Sequence, residues 1–303
     1  VYSQDAQVLG GSIGEMHARK IVNLYDLAIK TGVPVIGMID CAGIRLQEST
    51  DALHAFGMIY KKQAEASGVI LQISAIFGNC GGGLSVFPTL TDFTLMEENG
   101  QLFVNAPNAI EGNRKEVLNS ASAVFQSKEA GTVDFVENET EVFEEIRKLT
   151  QIFPSNYKDQ SKVIDCVDDL NRLCENISAG NGKEILIQIA DQNEFVELKK
   201  DYGNDMAIGF IRLNGETIGC IANKEERISA QGAKKAASFV KLCDAFGIGI
   251  LTVTDTVGSR NRTGKRTFTG NRSNDRSVCT GNSSKSECDL KESIWKCLCI
   301  YEQ

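Results

Sequence analysis

The stretches VPVIGMIDCAGIRLQE (Val33–Glu48) and GVILQISAIFGNCGGG (Gly68–Gly83) follow one plan. Each is an apolar run of buried-strand character that breaks at glycine and leads into a predicted helix. Such a turn leaves backbone N–H groups unpaired and aimed beyond the strand end. Glycine permits positive φ and lets a ligand approach the main chain. A single turn of this kind ordinarily closes a loop. Two of them, each followed by a helix, fit a site that cradles an oxyanion with backbone dipoles.

The first of these strands belongs to a repeat. ARKIVNLYDLAIKTGVPVIGMIDCAG (Ala18–Gly43) aligns without a gap on AKKAASFVKLCDAFGIGILTVTDTVG (Ala233–Gly258). Lys20 pairs with Lys235, Leu27 with Leu242, Gly32 with Gly247, Asp40 with Asp255 and Gly43 with Gly258. The helical stripe Ile21, Leu24, Tyr25, Ala28 recurs as Ala236, Phe239, Val240, Cys243. In each copy a glycine ends the helix and the next strand is expected to be buried on both faces. Any two αβ units share some features, but one constant offset through glycines, aspartates and stripe indicates duplication. The chain thus reads as two similar α/β halves: residues 1–157, a polar connection over 158–182, and a second half over 183–258. The second half opens with a hairpin turning at Leu213–Asn214–Gly215–Glu216.

Composition bounds the function. The 303 residues suffice for two cores, and a net charge of −8 argues against general nucleic-acid binding. No apolar run reaches membrane-spanning length, so direct membrane insertion is not expected. Val1–Tyr2–Ser3 resembles the interior of a strand, and the expectation is that the chain starts partway into a larger protein. Cys41, Cys80, Cys166, Cys174, Cys220 and Cys243 are scattered through apolar or helical contexts, which suits reduced thiols in a cytoplasmic protein. Their spacing matches no zinc site. The two histidines, His17 and His54, are read as surface or packing residues.

The motifs GGSIGEMHARKI (Gly10–Ile21), IDCAGIRLQE (Ile39–Glu48), GNCGGG with PTLTDF (Pro88–Phe93), and NEFVE with GFIRLNG resemble one family. It is the carboxyltransferase subunit of biotin-dependent acyl-CoA carboxylases and decarboxylases, and the resemblance runs through residues 1–258. It implies an α/β fold of tandem crotonase-like (ClpP/crotonase) ββα-superhelix domains, the second incomplete here. It also implies an acyl-CoA-binding first half, a biotin-binding second half, and active sites shared between subunits of a homo-oligomer. The implied reaction moves a carboxyl group between carboxybiotin and the α-carbon of an acyl-CoA, through an enolate held by backbone amides. No metal is implied in this subunit. The implied partners are a biotin carboxyl carrier protein and biotin carboxylase or membrane decarboxylase subunits.

Carried over by position, the amides of Gly43 and Ile44 match the acyl-CoA oxyanion hole, and Gly82 and Gly83 match a second amide pair near the same pocket. The family commonly reads Ser-Gly-Gly-Ala-Arg where this chain has Cys41–Ala42–Gly43–Ile44–Arg45, so Ile44 narrows the space. Gly11, Ser12, Gly14, Ala42 and Arg45 are candidates for contact with the CoA. A structural turn competes for the first three, and an ion pair with Glu48 competes for Arg45. Lys20 is read as part of a solvated helix face. The alternatives to carboxyl transfer are a crotonase-type acyl-CoA hydratase or isomerase, and a non-catalytic acyl-CoA-binding fragment.

After Gly258 the chain changes character. Ser259–Gln303 contains no alanine or proline but holds four cysteines and the only tryptophan. Read one nucleotide later, the codons for Cys279–Gln303 permit VQATVPKVNVILKKAYGSAYVFMN, and the step from Trp295 to Lys296 forces the glycine of KAYGSAY. That segment resembles the family's biotin-side oxyanion motif. The tail over 259–303 is therefore read as out of frame and expected to be disordered. Apolar surface on Ile248–Val253 is expected to be exposed, and the chain to act as a fragment with impaired activity.

Overall fold

The computed structural model describes residues 1–109, 111, 115, 118–169, 171–174, 181–255, 258–259 and 285–289. The chain divides into two compact units, Val1–Thr150 with Ser155–Asp159, and Gln151–Pro154 with Gln160–Gln303.

The first unit is built on a six-stranded parallel sheet. Its strands are β1 (Tyr2–Ser3), β2 (Val35–Cys41), β3 (Gln72–Gly81), β4 (Phe93–Glu97), β5 (Gln101–Phe103) and β6 (Phe135–Glu137). Four run in the order β1-β2-β3-β4, with β6 beyond β4 and β5 beside the far end of β3. Parallel pairing requires crossovers, which are supplied by α1 (Glu15–Thr31) and α2 (Ser49–Ala66). Shorter helices α3 (Phe87–Leu90) and α4 (Ala123–Phe125) and the longer α5 (Glu139–Ile152) follow. Central β3 is buried from Gln72 through Ile76, as a strand covered on both faces should be. β2, expected to be buried on both faces, instead alternates buried with partly exposed positions, so only one of its faces is fully covered. Tyr25, Ile13, Ile39, Ile76 and Phe87 anchor the core.

Helix α1 ends as its glycine predicts. Gly32 is left-handed at φ 70°, and the N–H groups of Gly32 and Val33 both donate to the Ala28 carbonyl at 2.8 and 3.2 Å. The repeat preserves this. At the end of α7 (Ala230–Ala245), Gly247 has φ 66° and the Ile248 N–H donates to the Cys243 carbonyl at 2.9 Å. The stripe residues Ala236, Phe239, Val240 and Cys243 are all buried, whereas in α1 Leu24 is only partly so.

The second unit holds β7 (Val196–Leu198), β8 (Met206–Leu213), β9 (Glu216–Asn223), β11 (Ile250–Thr254) and β13 (Lys285–Asp289) in the order β13-β11-β9-β8-β7. A separate short pair joins β10 (Arg227–Ile228) to β12 (Gly258–Ser259). The β8–β9 hairpin turns at Asn214 and Gly215, with φ 53° and 80°, the two positive values that Asn-Gly supplies in a tight hairpin. Helix α6 (Gly182–Ile189) opens with a capping box in which Asn181 and Glu184 satisfy each other's backbone N–H groups.

Within the polar stretch over 158–182, the Ile164 N–H donates to Gly215, Arg172 donates to the Ala190 carbonyl, and Asp168 accepts the Gln192 N–H. Two expectations need correction. Ile248, Ile250 and Val253 are buried rather than exposed, since Val253 packs with Ile185 and Leu186 of α6. In the tail expected to be disordered, Lys285–Asp289 forms a strand parallel to β11. The other expectations for 260–303 fall outside the described residues.

The PTLTDF segment closes the β3–β4 junction. The Asp92 N–H donates to the Gln72 carbonyl at 3.0 Å, and Asp92 Oδ2 accepts from the Gln72 N–H at 2.8 Å. Burial raises the Asp92 pKa from 3.8 to about 7, against the pull of the Gln72 N–H. An unfolded aspartate ionises near pH 4. Between about pH 4 and 7 the folded state therefore keeps a proton that the unfolded state has lost, and stability from this group falls as pH rises. Asp92→Asn keeps an acceptor and removes the titration. Urea unfolding should show little difference between the two proteins at pH 4, and a variant more stable by about 1–3 kcal/mol at pH 8. A difference that does not change with pH would contradict this.

Candidate active site

The ends of β2 and β3 lie side by side, with Cys41 in register with Cys80 and an irregularity between Ile39 and Cys41. The shift has a cause in Asp40, whose Oδ1 accepts the Asn79 N–H at 3.0 Å. Gly78 makes room for that carboxylate, because a Cβ there would lie 2.1 Å from Oδ1. Beyond Cys41, the segment Ala42–Arg45 is paired with the loop Gly10–Ile13. The Ala42 N–H donates to Gly10, the Ile13 N–H to Gly43 and the Arg45 N–H to Ile13, at 2.9–3.0 Å. In such a parallel bridge the N–H of Ile44 points away from the loop. It meets no acceptor among the described residues.

Gly43 sits at φ 117°, and a Cβ on it would approach the Gly81 carbonyl oxygen to 3.2 Å. Its N–H is directed at the Cys41 thiol, 3.3 Å away. Sulfur is a weak acceptor, so this amide is held in place without being strongly committed. The same thiol donates to the Gly43 carbonyl at 3.4 Å. Burial pushes the Cys41 thiol pKa up and that of Cys80 further, which keeps both neutral and poorly reactive.

The second wall is Gly82–Gly83, the start of a helical turn (Gly82–Val86) that runs on into α3. The first N–H groups of a helix have no internal acceptor, so that of Gly83 is available beside the β3 end, while Gly82 follows the Gly81–Phe103 pairing of β3 with β5. Gly82 is at φ 64° with open space around a would-be Cβ, whereas Gly83 faces the Tyr60 hydroxyl at 3.1 Å. Tyr60 donates to the Gly83 carbonyl at 2.5 Å and packs edge-on against Phe87. The structure thus brings Gly43, Ile44, Gly82 and Gly83 to neighbouring strand ends.

The remaining candidates form a brace behind this loop. The Arg45 guanidinium donates to the Ser12 carbonyl at 2.8 Å, to Ser12 Oγ at 3.3 Å and to Glu48 Oε1 at 2.9 Å. Glu48 Oε2 accepts the Glu15 N–H at 2.6 Å, capping α1, whose N-cap residue Gly14 has no side chain to do so. A Cβ on Gly14 would lie 2.2 Å from that carboxylate. The Glu15 N–H, then Arg45, lower the Glu48 pKa. Gly11, at φ 66°, admits the Asp40 carbonyl, which would lie 2.1 Å from a Cβ. Lys20 is exposed, as expected. His54 is exposed as well, and His17 is half-buried with Nδ1 3.5 Å from the Ser12 carbonyl. From sequence, Asp40 is marked only by the repeated Asp-x-x-Gly and Cys41 only by its place in the motif and among the thiols, while Tyr60 carries no signal. Among the described residues no cluster of His, Cys, Asp and Glu is arranged to hold a metal.

Two glycines separate strain from openness. Gly11→Ala should cost about 3 kcal/mol or more, since the backbone carbonyl it meets has no rotamer by which to retreat. Gly82→Ala, in open space, should cost only the left-handed penalty of about 1–2 kcal/mol. Urea denaturation of the two variants checks the order, and equal losses would contradict it.

Comparison with known proteins shows the family. The model of the carboxyl transferase domain matches residues 1–265. The propionyl-CoA carboxylase beta chain of Cereibacter sphaeroides is 35% identical over 283 residues, covering 88% of this chain and 56% of the relative. The methylmalonyl-CoA decarboxylase subunit alpha of Propionigenium modestum is 34% identical over 275 residues, covering 85% and 53%. The chain therefore spans about half the length of the curated relatives it matches. The crystal structure of transcarboxylase 12S, a hexamer solved with methylmalonyl-coenzyme A bound, superposes with a TM-score of 0.89 at 26% identity, over 94% of this chain and 60% of that one. By the extent of its match and the glycine-turned strand ends that go with it, the chain belongs to the carboxyl transferase domain family.

Proposed function

We propose that this chain carries part of a biotin-dependent acyl-CoA carboxyltransferase, moving a carboxyl group between carboxybiotin and the α-carbon of an acyl-CoA in carboxylation or decarboxylation. The observation that carries this reading is the Ile44 N–H, without an acceptor among the described residues, beside a positive-φ glycine and next to the Gly82–Gly83 turn. Drawing a proton or a carboxyl group from the α-carbon of a thioester leaves negative charge on the thioester oxygen. Fixed amides at that point lower the barrier, each typically by a factor of 10²–10³ (about 2.7–4 kcal/mol). The amides of Ile44 and Gly43 are one such pair, and the Gly43 N–H leaves the weak Cys41 thiol for the stronger oxyanion. Gly82 and Gly83 form the second pair. Arg45, spent on Ser12 and Glu48, acts by bracing the loop. Gly11, Ser12, Gly14 and Ala42 shape the loop that faces the CoA.

Biotin on a carrier protein would supply the carboxyl group as carboxybiotin, or accept it in the decarboxylating direction. The same reading takes biotin carboxylase or membrane decarboxylase subunits as partners, a homo-oligomer as the working state, and the cytoplasm as the place. The location is supported by the free thiols of the six described cysteines. The first half, residues 1–157, takes the acyl-CoA, and the second, 183–258, faces biotin. We keep the reading of 259–303 as an out-of-frame tail; the family match ends within it, at residue 265. On that reading the acyl-CoA side is intact and overall transfer is impaired.

The test addresses the acyl-CoA side alone. Proline is unsuitable for deleting the Gly43 N–H, because its φ near −65° is incompatible with 117°. Replacing the Ile44 residue by its α-hydroxy acid turns the amide into an ester and deletes only the N–H. Calorimetry on the full chain should show binding of methylmalonyl-CoA and tighter binding of a nitronate analogue that mimics the enolate. The ester should erode that preference by roughly 10²-fold. Failure to bind either ligand, or an unchanged preference, would overturn the proposal.

A further inference from the structure

We infer that Tyr60 and Ser85 are positioning residues for the Gly83 N–H, each holding one of the two peptide planes that meet at that glycine. This rests on the reading of Gly82 and Gly83 as the second amide pair, and adds what keeps that pair in place. Adjacent glycines are the freest backbone a chain can have, and Gly82 has open space where other residues carry a Cβ. An amide serves a developing negative charge only when its direction is set before the charge appears. Side-chain packing cannot set it for two glycines, so hydrogen bonds to their carbonyls must.

The first plane joins Gly82 to Gly83, and its carbonyl accepts from Ser85 Oγ at 2.8 Å. The Gly83 N–H belongs to that same plane and lies trans to the carbonyl, so it points away from Ser85. A hydrogen bond on a carbonyl also polarises the N–H of its own peptide, by about 10–30% in chains of such bonds. Ser85 is buried, which spares this bond competition from water. The second plane joins Gly83 to Leu84, and its carbonyl accepts from the Tyr60 hydroxyl at 2.5 Å. With a hydroxyl on each carbonyl, neither plane turns without breaking a bond.

Tyr60 reaches Gly83 from α2, 23 residues away in sequence. Its ring forms an aromatic cluster with Phe56 and Phe87, whose centroids lie 6.0 and 5.5 Å from its own. A phenylalanine ring would fill that place equally well. Packing therefore accounts for the ring and leaves the hydroxyl to Gly83. A Cβ on Gly83 would lie 3.1 Å from that oxygen and 3.5 Å from the Phe56 ring, so the backbone rests directly on this face of α2. Burial raises the Tyr60 pKa above its ordinary value, and the hydroxyl stays a donor at neutral pH.

Calorimetry on the full chain tests this, comparing the preference for the nitronate analogue over methylmalonyl-CoA in the wild type, Tyr60→Phe and Ser85→Ala. Each variant removes one hydroxyl and leaves the Gly83 N–H in the chain. Each should lower the preference by roughly 10-fold, short of the 10²–10³ that follows loss of a donor. Methylmalonyl-CoA, with less charge on its thioester oxygen, should bind each variant within about twofold of the wild type. Equal weakening toward both ligands marks a merely structural bond and overturns the inference, as does the full wild-type preference in either variant. In both cases a wild type that prefers the nitronate leaves the acyl-CoA reading standing. A wild type that binds neither ligand, or binds both alike, overturns that reading and the inference with it. Should Tyr60→Phe fail to fold, Ser85→Ala decides alone by the same comparison.

Discussion

The geometry of the first unit depends on the Asp40 carboxylate holding the N–H of Asn79 across the ends of two parallel strands. Parallel strands normally drift out of register only where something else takes over their hydrogen bonds. Here the carboxylate does so, and the ladder resumes with Cys41 opposite Cys80. Two glycines are fitted to that one residue. Gly78 leaves room for its side chain, and Gly11 leaves room for its carbonyl. The amides that end up facing outward are those that the displaced ladder no longer uses. A site made of backbone donors needs this kind of rigid frame, because an amide is useful to an oxyanion only when its direction is fixed beforehand.

The duplicated half keeps the frame and changes the chemistry that secures it. Asp255, the counterpart of Asp40, donates its N–H to Asn223 Oδ1 at 2.7 Å, and the Asn223 amide returns a bond to the Asp255 carbonyl. A side-chain amide thus replaces the carboxylate as the tie between adjacent strands β9 and β11. The aligned lysines diverge more sharply. Lys20 is exposed, whereas Lys235 is buried and donates to the carbonyls of Lys199, Tyr202 and Met206 at 2.7–3.0 Å. The helix-ending glycines, by contrast, are interchangeable, because positive φ is a demand of the backbone alone.

This difference explains what could be read from the sequence. Gly32, Gly43, Gly82 and Gly247 announced themselves because the conformations they adopt are nearly closed to other residues. The helical stripes and the Asn214–Gly215 hairpin were legible for the same local reason. The Arg45–Glu48 pair was visible from spacing, but its reach to Ser12 and to the start of α1 joins residues 33 positions apart and has no local signal. The roles of Cys41 and Tyr60 leave no local signal, because each acts on a glycine through contacts set by tertiary placement. The half-exposed faces of β2 and the burial of Ile248 and Ile250 depend on which elements flank each strand. An apolar run looks alike in either setting.

Buried charge in the second unit is handled with consistency. Burial alone would raise the Glu197 pKa, yet Lys183 at 2.7 Å and Lys224 at 3.2 Å hold it below the usual value. Asp205 accepts from both the N–H and the hydroxyl of Ser229. Lys235, pulled down to about 8 by burial, has three carbonyls. Each of these groups is enclosed together with its partners, as the cost of desolvation requires.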